Sequence, residues 1–92
     1  MALGIVSGVI GANGAVIAGN GFTVNRASAG TYDITFDTRF GSLPAVVATI
    51  RGDAWADVNA VVRSSDDSGA QIVAVDLQGG CQDRDISFIA VV

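Results

Sequence analysis

The chain has 92 residues, 50% hydrophobic and 15% charged, and its net charge of −4 comes from five arginines against nine aspartates, with no lysine, glutamate or histidine. An acidic balance with scattered arginines argues against a duplex nucleic-acid face and against anionic membrane surfaces, both of which need clustered cations. The missing histidine removes the commonest general base and metal ligand, and the missing glutamate and lysine are the usual fillers of exposed helix faces. The β-branched residues that dominate instead suit a pleated sheet, so an all-β fold is expected.

Met1 to Gly19 is uncharged, and the first basic residue is Arg26. A signal peptide would need a basic start. A membrane helix is possible by length, and Gly4 and Gly8 match a GxxxG motif. Glycines 4, 8, 11, 14 and 19 together with Asn13 would make a poor helix, so the stretch reads as two short strands, near Leu3–Ile10 and Ala15–Ala18. Asn13-Gly14 and Asn20-Gly21 read as type I′ hairpin turns, which need positive φ at both central residues. A strand at Phe22–Ala27 and a turn at Ser28-Ala29-Gly30 follow. Thr31–Asp37 then alternates, with Tyr32, Ile34 and Phe36 on one side and Thr31, Asp33, Thr35 and Asp37 on the other, the pattern of a half-buried antiparallel strand.

Phe40 is expected to plug the Arg39–Pro44 loop, and Pro44 leads into a strand at Ala45–Arg51. Trp55–Arg63 reads as a strand with Ala56, Val58, Ala60 and Val62 on one face. Ser64 to Gly69 is a polar turn cluster. A strand at Ala70–Leu77, a loop at Gly79–Arg84 and a closing strand at Ile86–Val92 complete the chain. Seven or eight short strands without a composition break predict one domain over residues 1–92, an antiparallel β-sandwich or jelly roll.

Area scaling gives such a chain roughly 5,000 Å² of folded surface against about 13,500 Å² extended, burying about 60%. That supports a thin two-sheet core with too little interior for this much apolar side chain. The last two strands carry apolar residues on both sides, which is unsafe at an open edge. They are therefore expected to be central in their sheets, with outward residues Val73, Val75, Leu77, Ile89 and Val91 buried against other copies of the chain. The protein is expected not to be a monomer.

Gly19 to Arg26, Gly30 to Phe36, Phe40 and Pro44 to Thr49 together resemble the small β-sandwich modules at the ends of bacterial and phage fibre and collagen-like proteins. The similar stretch covers about a third of the chain. The resemblance implies a homotrimer, a role in capping, assembling or displaying a fibre, and an extracellular or virion-surface location. No Gly-X-Y tract or coiled-coil heptads precede the module.

No catalytic centre, metal site or cofactor is expected. Cys81 stands in a glycine-rich loop and reads as a semi-buried structural thiol, with no histidine to make a thiolate. Asp33 and Asp37, the Asp66-Asp67 pair, and Asp83 with Asp85 are the carboxylates a calcium ion would need, but each fits a solvated turn or face. Arg51-Gly52-Asp53 spells an adhesion tripeptide and reads more simply as a tight turn. Tyr32 and Trp55 raise the rival reading, a carbohydrate-binding lectin. Trp55 is the better stacking ring, with Asp57 and Asn59 as polar partners to a glycan.

Overall fold

The computed structural model describes residues 4–52 and 58–92. Eight strands follow in order: β1 Ile5–Ile10, β2 Val16–Gly19, β3 Phe22–Ser28, β4 Thr31–Phe36, β5 Ala45–Arg51, β6 Val58–Asp66, β7 Gly69–Asp76 and β8 Asp85–Val91. They make two four-stranded antiparallel sheets, sheet A in the order β2-β1-β8-β5 and sheet B in the order β3-β4-β7-β6. The fold is the expected all-β sandwich. The hairpins β1–β2, β3–β4 and β6–β7 stay within a sheet, and the other four connections cross between sheets. β7 and β8 both lie inside their sheets, as their two-sided apolar pattern requires.

Period-two alternation decides which side chains meet between the layers. From sheet A, Ile10, Ile86, Phe88 and Ala90 point inward, and from sheet B, Phe22, Tyr32, Ile34, Phe36, Ile72 and Ala74 face them. Phe22 meets Phe88 edge-on at a centroid distance of 4.8 Å, the arrangement aromatic quadrupoles prefer. Each such large apolar side chain withdrawn from water contributes about 1.5–3 kcal/mol before entropy is counted. Phe40 packs on Phe36 at 4.9 Å and closes one end, as expected of a plug. The two matching glycines at positions 4 and 8 serve no helix. Gly8 lies opposite Phe88 across the β1–β8 ladder, and a side chain there would collide with the Phe22 ring.

Three turns differ from their sequence reading. Among the described residues no non-glycine residue has positive φ, so Asn13-Gly14 is not a type I′ turn. Gly14 N–H donates to the Gly11 carbonyl at 2.8 Å, Gly11 N–H to the Ala15 carbonyl at 2.7 Å, and Gly14 alone takes the left-handed conformation, at φ 89°. That is a three-residue loop, in which the Asn13 side chain accepts from Ala15 N–H at 3.0 Å. Asn20-Gly21 joins no hairpin, because β2 and β3 belong to different sheets. At the β6–β7 hairpin, strand pairing runs on to Asp66 opposite Gly69, so Ser64 to Asp66 are strand and not turn. Asp66 sustains this by accepting from the backbone N–H of Ser68 and Gly69 at 2.8 and 3.0 Å. A register shift between Val62 and Ser64 absorbs Arg63.

Gly69 packs so closely under the Ile34 carbonyl that an added Cβ would clash with backbone, which cannot rotate away. Gly69→Ala is expected to cost on the order of 1–3 kcal/mol. Gly52→Ala, where no atom lies within 4 Å, should leave stability unchanged. Thermal melts of the two variants beside the parent protein check this.

Candidate functional site

Most carboxylates singled out in the sequence are already engaged. Asp83 accepts two hydrogen bonds from Arg26, at 3.0 and 2.9 Å, and one from Gly30 N–H at 2.7 Å. Asp85 accepts from Ala12 N–H at 2.8 Å. Between them the Tyr32 hydroxyl donates to the Ala12 carbonyl at 2.7 Å and accepts from Arg84 N–H at 3.3 Å. These contacts tie the β1–β2 loop, the β3–β4 turn and the β7–β8 loop together at one end of the sandwich. Asp33 holds the Gln71 amide at 2.8 Å, and Asp67 pairs with Arg39 at 2.9 Å. Among the described residues no three metal-ligating side chains converge.

Hydrogen bonds from Arg26, then from Gly30 N–H, hold the Asp83 carboxyl below its ordinary range. Asp66 is lowered by Ser68, through its hydroxyl and then its N–H, and Asp76 by the Gln82 amide and Gly80 N–H. Burial raises the Tyr32 phenol above its ordinary value.

The ring platform imagined for a sugar does not form from Tyr32, which is wholly buried. Asn59 is exposed on the outer face of sheet B, opposite Val75; Trp55 and Asp57 lie outside the described residues. Cys81 is exposed rather than semi-buried, since the loop that carries it runs along the edge of β7 and bridges to Val75. Gly52 has no positive φ and lends no special freedom to a turn; Arg51 ends β5, opposite Asp85, and Asp53 is outside the described residues.

The five expected interface residues do not share a surface. Val73 is buried within its own chain, flanked on a central strand by Thr31 and Val61. Val75 is half-buried beside Cys81, and Leu77 is exposed just beyond the end of β7. Ile89 and Val91 lie on the other side of the sandwich, on the outer face of sheet A.

There they join residues that sequence reasoning passed over. Ladder partners across β1, β8 and β5 form rows: Ile5, Val91 and Ala45; then Ser7, Ile89 and Val47; then Val9, Ser87 and Thr49. All nine are uncharged, and four of the apolar ones are bare, with Val47 64%, Ile5 51%, Ile89 43% and Val91 37% exposed, while Val9 is half-buried. Charge returns in the next row, where Arg51 faces Asp85 and donates to the Ser87 hydroxyl at 3.3 Å. The alternation of Val46, Ala48 and Ile50 with Ala45, Val47 and Thr49 was a usable signal for β5. Nothing in the sequence showed that β5 and β1 flank β8.

Stability held by the lowered carboxylates is present above their unfolded values near 4 and is lost as pH falls through the lower folded values. For Tyr32 the sign reverses: its contribution is present below the free phenol value near 10 and lost as pH rises through the raised folded value. The melting temperature should therefore be level near neutrality and fall at both extremes, with Asp83→Asn shallowing the acid limb. Tyr32→Phe, which strips a hydroxyl from a buried network, should cost about 1–2 kcal/mol at neutral pH. Melts between pH 2 and pH 11 check both. A scan against protein-family models found no match to this chain, and no curated protein and no solved structure searched matches it.

Proposed function

We propose that the domain is a non-enzymatic assembly or display module whose copies meet through the outer face of sheet A. The resemblance to fibre-terminal modules supports a threefold arrangement, with the module at the end of a fibre or on a surface. One observation carries the reading: three consecutive uncharged rows on a sheet face, with apolar side chains left bare on the middle and flanking strands. A face exposed only to water would normally alternate apolar-in with polar-out.

The size is informative. Three strands about 4.8 Å apart and five residues long at about 3.4 Å each give a footprint of roughly 250 Å². A stable interface takes about 800 Å² from each partner. Contact must therefore extend beyond these rows, and exposed Ala18 on β2, opposite Val9, adjoins them. At about 25 cal/mol per Å², covering even part of this surface is large beside the margin of a small domain.

Light scattering over a dilution series tests the reading. The parent protein should keep an oligomeric mass into the micromolar range. Ile89→Asp and Ile5→Asp should each reduce it to smaller species while leaving the fold intact by circular dichroism, because both side chains are exposed within the single chain. Thr35→Asp, on the opposite sheet, should change nothing. A parent protein with the mass of one chain, or an Ile89→Asp variant that assembles normally, would sink the proposal.

A further inference from the structure

A sandwich of two open sheets has four edge strands, and three of these are guarded. Edges are blunted by shortness, by charge or by bulges, since a straight bare edge is a template for another chain. β2 has four residues, and its pairing with β1 shifts register. β3 shifts register between Arg26 and Ser28, and Arg26 stands at that point. β6 shifts between Val62 and Ser64, at Arg63. β5 has none of these features. Its seven residues each face a β8 partner without a shift, and its one charge is the last residue, Arg51. Among the described residues no strand is laddered to its other side; β6 approaches it from the opposite sheet without pairing.

We propose that this edge takes the β5 strand of a second copy, antiparallel, joining two A sheets into one continuous sheet of eight strands. The occupant follows from the sequence of β5 itself. One register, centred on Ala48, uses all seven residues. It sets Ala45 opposite Arg51, Val46 opposite Ile50 and Val47 opposite Thr49. Residues that point outward are matched with residues that point outward, so the apolar rows of both copies fall on one side of the joined sheet. The two arginines sit at opposite ends of the seam, each beside the Asp85 of its own chain. Two copies of a chain with net charge −4 repel, and β5 carries no acidic residue.

The seam has a twofold axis normal to sheet A, and face packing around a threefold axis is compatible with it. Together they give six chains, two threefold rings joined by three seams. That stoichiometry rests on the face-packing reading above, whereas the seam does not.

The test exploits the direct opposition of residues 47 and 49. Val47→Asp with Thr49→Asp puts like charges across the seam, and Val47→Asp with Thr49→Lys puts opposite charges there. Masses are measured by light scattering under reducing conditions, to keep the exposed Cys81 thiol from forming disulfides between copies. The expected result is single chains for the first variant, because a carboxylate at residue 47 spoils the face contact as well as the seam, and pairs of chains in the second, where opposite charges restore the seam alone. A parent mass of three chains that falls to single chains in both variants overturns the seam and leaves the face reading standing. A parent mass of two chains, halved by the first variant, restored in the second and untouched by Ile89→Asp, supports the seam and overturns the face reading. If both double variants fall to single chains, residue 47 belongs to the face contact and the seam is overturned. A parent protein that is a single chain at its highest soluble concentration overturns both.

Discussion

Sheet A depends on β8, which is paired on both sides by strands distant in sequence. Val91 is laddered to Ile5 on one side and to Ala45 on the other. Closing the first of those pairs ties together nearly the whole chain, an entropic cost that local turns cannot offset. What offsets it is the inward set of β8, where Ile86, Phe88 and Ala90 are all buried, with Phe88 locked against Phe22 of the other sheet. Once that register is fixed, the opposite parity is fixed too. Ile89 and Val91 must point outward, because a slip of one residue would drive Ser87 into the core. The exposed apolar rows are thus the other side of the packing that makes the fold.

The polar end shows a different economy. Tyr32 contributes its ring to the core and its hydroxyl to loop backbone, so one side chain serves both packing and closure. Asp83 does for the β3–β4 turn and the β7–β8 loop what a bound cation does in other small domains, but with a guanidinium already in the chain. Using the aspartates this way also removes them from the broad faces of sheet A, where Asp85 is the one acidic residue among the outward positions of the strands paired through β8.

Strand existence and facing were legible in the sequence because both follow from short-range periodicity. Every expected strand is present, and β4 buries Tyr32, Ile34 and Phe36 as its alternation requires. Turn type was less legible. Asn-Gly pairs carry the propensity for a type I′ hairpin, yet the loop at Asn13-Gly14 has one residue more, and Asn20-Gly21 spans the gap between sheets, where no ladder imposes its geometry. The surface was least legible of all. Apolar residues on both sides of β7 and β8 correctly mark central strands, but Val73 is sheltered by its own neighbours while Ile89 is not. That distinction depends on which strands adjoin, and pairing between the two ends of the chain leaves no local trace.

The guarding of edges bears on what kind of surface this is. Irregular registers beside arginines at β3 and β6 contrast with the straight run of β5. Uncontrolled pairing is a hazard for every sandwich, and the irregularities at β2, β3 and β6 are the ordinary defences against it. Their absence at one edge, next to the uncharged rows, concentrates both kinds of stickiness on one side of the molecule. Backbone pairing along β5 would set direction and register, which hydrophobic contact alone leaves loose. Apolar burial on the adjoining face would supply the larger share of energy. A surface with both properties would specify a defined assembly, whereas either one alone would permit many.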